Sequence, residues 1–110
     1  MKDNRPYLRD ILDRITRIER YIAGGKEAFL ADTLIQDGII RNFEVIGEAA
    51  KHLSNEVKEK YPHVPWKEIA GMRDKMIHDY LGVDLELVWK IATEKLPELK
   101  NTVEKILNQA

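Results

Sequence analysis

Residues 4–25 read NRPYLRDILDRITRIERYIAGG, and the spacing of their apolar side chains decides the fold class. Tyr7, Leu8, Ile11, Leu12, Ile15, Ile18 and Ile22 recur at steps of mostly three and four, the period of an amphipathic helix. Arg9, Asp10, Asp13, Arg14, Arg17 and Arg20 fill the other face. Asn4 is placed to cap this helix. Pro6 falls in its first turn, where a missing N–H costs nothing, and Gly24-Gly25 ends it.

The same period continues outward. Residues 26–31 are enough for a single helical turn. Asp32 or Thr33 caps a long helix whose buried side is marked by Leu34, Ile35, Ile39, Phe43, Ile46, Ala49, Ala50 and Leu53. Ser54 caps a short helix that Pro62 closes, and Pro62 and Pro65 make residues 61–66 a loop. Pro65 opens a fourth helix with Trp66, Ile69, Met72, Met76 and Ile77 on its apolar side, running into a break at residues 81–83 with Gly82 as its C-terminal cap. Asp84 caps a last helix, which Pro97 should kink or divide. No alternation of β-branched residues predicts a strand. The expectation is an all-α bundle of four to five helices over one domain, residues 1–110, with the first two long helices forming an antiparallel hairpin.

Composition narrows the function classes. The 110 residues hold 18 basic and 19 acidic side chains, a net charge of -1, which argues against a nucleic-acid binder that works by bulk positive charge. Charge is nevertheless uneven: residues 1–26 and 51–78 are net basic, residues 27–50 and 79–110 net acidic. The absence of cysteine excludes a disulfide scaffold, a thiolate metal site and a cysteine nucleophile. No apolar run reaches the ~18 residues of a membrane span, and the N-terminal residues lack the apolar core of a secretory signal. A cytoplasmic protein is expected.

The densest cluster of reactive side chains is Arg73-Asp-Lys-Met-Ile-His78-Asp-Tyr80, at the end of the fourth predicted helix. On an ideal helix Arg73 and Tyr80 share a face, Arg73 and His78 flank a groove, and Asp74 lies four residues before His78 on its side. There Asp74 can fix the tautomer of the imidazole. A guanidinium matches two phosphate oxygens, and an imidazole moves protons near neutral pH. Together they fit metal-independent cleavage of a phosphodiester through a neighbouring 2′-hydroxyl, which demands RNA. The bland alternative is an Arg, a His and a Tyr that pair, cap or pack. One imidazole per chain also leaves acid–base cleavage short of a partner, which a two-fold dimer would supply.

At this cluster the chain resembles the HepT-like toxins of the HEPN superfamily. The shared motif is Arg, four residues, His, one residue, Tyr, with an acidic residue after the Arg. The segments at residues 40–50, 61–73 and 83–89 resemble the family's flanking signatures, so the likeness covers nearly the whole chain. The resemblance implies a HEPN-like helical fold and a metal-independent endoribonuclease, the toxin of a toxin–antitoxin pair. It also implies a homodimer with the motifs at its interface. The cognate partner would be an MntA-like minimal nucleotidyltransferase antitoxin that neutralises the toxin by transferring AMP to the motif tyrosine, here Tyr80. A non-catalytic HEPN-type module that binds a nucleotide or a partner is the competing reading.

Other residues carry two readings each. Asn42 lies in the apolar stripe of the long helix, either as a structural bridge or as a support of the site, with the structural role favoured. Arg41, Glu44 and Glu48 share a face and read as solvated ion pairs, with Glu48 as a candidate contact of the cleft. His52 and His63 show no ligand spacing to each other or to His78, so no metal and no cofactor are expected. Trp66 and Trp89 are expected as core anchors.

Overall fold

The computed structural model describes residues 3–78 and 82–109, with His78 described by its backbone alone. It is an all-α bundle. Helix α1 (Arg5–Ile22) is followed by α2 (Lys26–Ala31), α3 (Thr33–Lys51), α4 (Asn55–Lys60), α5 (Trp66–Ala70) and α6 (Met72–Met76). Two short strands, β1 (Ile77–His78) and β2 (Gly82–Val83), precede α7 (Leu85–Lys90), a π-helical segment (Ile91–Lys95) and α8 (Leu96–Gln109).

Helices α1 and α3 form the predicted antiparallel hairpin. Their contacts run in opposite directions along the two helices. Asn4 bonds Ser54 just beyond the end of α3, Tyr7 stacks on His52 with centroids 5.2 Å apart, Arg14 reaches Asn42, and Tyr21 packs on Gly38. The apolar stripe is buried as the period requires: Leu8, Ile11, Ile15 and Ile18 meet Ile39, Phe43 and Ile46, with Val88 and Val103 closing the core. Leu34 departs from this pattern. It is 78% exposed, because it lies off the stripe, on the face it shares with the exposed Arg41, while Ile35 beside it packs against the core.

Capping explains most boundaries. The Asp32 and Ser54 side chains accept from Leu34 N and Val57 N, and Asp84 accepts from Leu87 N. Asn4 precedes α1 but makes no cap bond. Its amide joins Ser54 instead, donating to Oγ at 3.1 Å and accepting from Ser54 N at 2.9 Å. Trp66 is buried and donates its indole N–H to Tyr61 O, whereas Trp89 is half-buried and packs on Phe29.

Further sequence expectations need correction around residues 66–83. The fourth helix is not continuous: Gly71 separates α5 from α6, and α6 stops at Met76. The chain then forms the strand pair that periodicity left out, with Ile77 opposite Val83 and His78 opposite Gly82. Each strand has two residues, too few for an alternation to register, and the β-branched Ile77–Val83 pair supplies the cross-strand contact. Gly82 has φ +77° and belongs to this ladder, so it is not the end of a helix. The Met76 carbonyl accepts from Asp84 N at 2.7 Å and closes the hairpin at its base. At the other break the main chain stays helical, but as a π turn just before Leu96-Pro97. The wider turn accommodates a proline that has no N–H for an i−4 bond and would clash with the carbonyl there.

Candidate active site

The site lies where α5 and α6 cross α3. Gly47 in α3 makes that crossing close. A methyl group at Gly47 would sit 3.1 Å from the carbonyl oxygens of both Ile69 and Ala70. With hydrogen there, the end of α5 settles onto α3, and the turn at Gly71 carries Arg73 over the neighbouring α3 residues. The result is an open cleft of about 370 Å³ lined by Arg41, Glu44, Glu48 and Lys51 from α3 and by Gly71, Arg73 and Asp74.

Glu44 organises the charges. One carboxylate oxygen meets Arg73 Nε at 2.5 Å, and the other meets Arg41 Nη1 at 2.7 Å. Arg73 remains about half exposed, so its guanidinium is held without being enclosed. Asp74 lies 3.8 Å from Arg73 Nη1, too far for a hydrogen bond, and its side chain is 86% exposed. Glu48 pairs with Lys51 at 2.9 Å, and that hydrogen bond and charge lower its carboxyl pKa.

The structure separates the predicted site residues into groups. Arg73, Asp74 and Glu48 share the cleft. The backbone of His78 lies in β1, two residues beyond the end of α6. The helical angles drawn between Arg73, Asp74 and His78 therefore do not apply, and Asp74 does not stand one turn below His78 on a common helix. The His78 side chain and Tyr80 lie outside the described residues. Asn42 is 4% exposed and turns to α1: its Nδ2 donates to Gly38 O at 2.7 Å and its Oδ1 accepts from Arg14 Nη1 at 3.3 Å. It is a bridge between helices and does not line the cleft. His52 stacks on Tyr7 and His63 lies edge-on to Tyr61.

Glu44 is the residue that sequence reasoning missed. Its spacing to Arg41 and Glu48 reads as an ordinary ion-paired face. The signal that it does more is Gly47 one turn on, a small residue on the same helix that lets another backbone approach.

Among the described residues no helix is long and apolar enough to cross a membrane. A helical bundle in which the arginine of an Arg-x4-His-x-Tyr sequence lines a charged cleft fits the HEPN-like class, and comparison with known proteins narrows it. The chain belongs to the family described as Ribonuclease HepT-like, whose profile matches residues 11–106. A relative from Caldanaerobacter subterraneus subsp. tengcongensis, named "Putative RNase TTE0752", is 44% identical over 99% of this chain and 98% of its own. "Probable ribonuclease HepT" of Thermococcus cleftensis is 42% identical over 96% of both chains. A Methanocaldococcus jannaschii protein named "Gamma-glutamylcyclotransferase and putative RNase MJ0434" is 45% identical over 98% of this chain but only 49% of its own. No solved structure matches.

Proposed function

We propose that this chain is a metal-independent endoribonuclease, the toxin of a pair whose antitoxin is a minimal nucleotidyltransferase. The observation that carries the reading is Arg73, held half exposed at an open cleft five residues before His78, in a chain of the HepT-like ribonuclease family.

The chemistry follows from the groups. The 2′-oxygen of a ribose attacks the adjacent phosphorus, the bond from phosphorus to the 5′-oxygen breaks, and a 2′,3′-cyclic phosphate and a 5′-hydroxyl result. The His78 imidazole takes the 2′-proton or protonates the leaving 5′-oxygen. The Arg73 guanidinium stabilises charge growing on the non-bridging oxygens. A homodimer brings two His78 side chains to one cleft, so that one acts as base and the other as acid. Tyr80 is the acceptor of AMP from the antitoxin. An adenylyl group there adds an anion and bulk close in sequence to Arg73 and opposes the RNA phosphate.

The test is cleavage of RNA by the purified protein in excess EDTA, with H78A and R73A as controls that keep the wild-type circular dichroism. Wild type should cleave, and each variant should lose on the order of 10²–10⁴-fold in rate. Equal rates for wild type and H78A would remove His78 from the mechanism. A wild type purified without the nucleotidyltransferase that binds it tightly but cleaves no RNA would establish the binding-module reading instead. Intact mass of the co-expressed pair should show AMP on Tyr80.

A further inference from the structure

We infer that Glu44 is a positioning residue of the RNA-cleaving site: it grips Arg73 by one edge of the guanidinium and leaves the other for the scissile phosphate. The inference rests on the ribonuclease reading and adds to it a residue on a different helix from the motif.

A guanidinium presents its five N–H groups along distinct edges, one containing Nε and another made by the two terminal nitrogens. The Glu44 carboxylate forms an ion pair with Arg73 on the Nε side of the guanidinium, one oxygen standing 2.5 Å from Nε. A carboxylate there occupies the side of the fork and leaves its end directed away, the arrangement a bidentate phosphate requires. At that end Asp74 makes only a looser ion pair, 3.8 Å from Nη1 and beyond hydrogen-bond distance.

The clamp is anchored where rigidity is available. Arg73 is the second residue of a five-residue helix set between Gly71 and the strand pair, and its long side chain has many rotamers. Glu44 stands in the middle of the 19-residue α3, on the wall of the core that contains Phe43 and Ile46. A hold from α3 therefore fixes the guanidinium before RNA arrives, which is how positioning lowers a barrier.

Arg41 explains why this hold does not cancel the cation. The second oxygen of Glu44 contacts Arg41 Nη1 at 2.7 Å, so one carboxylate is shared between two guanidiniums. The three side chains carry a net charge of +1, so the shared carboxylate does not neutralise both guanidiniums. The competing view makes Glu44 a lock that RNA must displace, and the two views predict opposite signs.

The experiment is a double-mutant cycle of E44Q and R73K, read as kcat and KM for RNA cleavage by the full chain, with E44D as a second variant. Lysine keeps the charge but has no Nε edge to grip. E44Q should lower kcat about ten- to a hundredfold, with KM unchanged or lower. E44D should recover part of the loss, and E44Q should add nothing in the R73K background. The Arg73 Nε–H resonance, assigned by its disappearance in R73K, should shift in E44Q. A rise in kcat for E44Q, or a drop of equal size in both backgrounds, overturns the inference and leaves the ribonuclease reading intact. An unshifted Nε–H resonance also overturns it. A wild type that cleaves no RNA overturns both.

Discussion

Gly47 and Ala70 touch through backbone alone: a Cβ on Gly47 would lie 3.1 Å from the Ala70 carbonyl oxygen. Alanine in place of glycine inside a helix is worth up to about 1 kcal/mol in propensity. Crowding a packed contact costs roughly 1–3 kcal/mol, and here the neighbour is main chain, which has no rotamer to change. G47A should therefore lower unfolding stability by about 1 kcal/mol in urea titration. Because the displaced segment carries Arg73, RNA cleavage should fall by a larger factor than stability explains.

Asn42 should behave as a strut. Its buried amide joins Arg14 on α1 to the Gly38 carbonyl on α3. N42A removes two hydrogen bonds, each worth about 0.5–1.5 kcal/mol, and should cost about 1–3 kcal/mol in thermal or chemical unfolding. Its kcat, measured well below the melting temperature, should stay within a few-fold of wild type. A loss comparable to that of R73A would return Asn42 to the site.

Met76 ends α6, is fully buried, and holds the base of the strand pair through its carbonyl. M76A should cost about 2–5 kcal/mol by opening a cavity, whereas M76L should cost less than about 1.5 kcal/mol. The alanine variant should also speed hydrogen exchange at the amide of Asp84, the donor to that carbonyl.

Glu48 gives a pH test. The Lys51 hydrogen bond and charge hold its carboxyl below the ordinary value of 4.5, so the folded chain binds that proton less tightly than the unfolded one. The pair's stabilisation is therefore full above that value and disappears as pH falls through the depressed folded one. Melting temperatures of wild type and E48Q should differ slightly in favour of wild type near about pH 7 and converge near about pH 3. Both groups are exposed to solvent, which keeps the difference small.

The helical frame was legible because burial and period coincide. Leu8, Ile11, Ile15 and Ile18 mark one face of α1 and are all buried. The caps at Asp32, Ser54 and Asp84 announce themselves by residue type. The route from Arg73 to His78 was not legible. A two-residue strand leaves no periodic trace, and the run from Trp66 to Ile77 keeps apolar spacing across a break that only Gly71 signals. Glu44 was hidden for a different reason. An acidic residue three positions after an arginine is an ordinary surface pairing, and its ion pair with Arg73 joins residues 29 positions apart through a crossing set by Gly47.

The α1–α3 hairpin has a kinetic consequence. Its polar rungs lie 28 residues apart in sequence at Arg14–Asn42 and 50 apart at Asn4–Ser54, with Tyr21–Gly38 nearest the connection. Closing a short loop first shortens the next, so the cheapest order is a zipper that starts beside α2 and runs outward. Substitutions at Ile18 and Ile39 should then slow folding, whereas S54A should mainly speed unfolding, a contrast that stopped-flow φ-values can read. In that order Asn4 and Ser54 form the final latch, and α4, α5 and the arm that bears Arg73 dock onto a hairpin already closed.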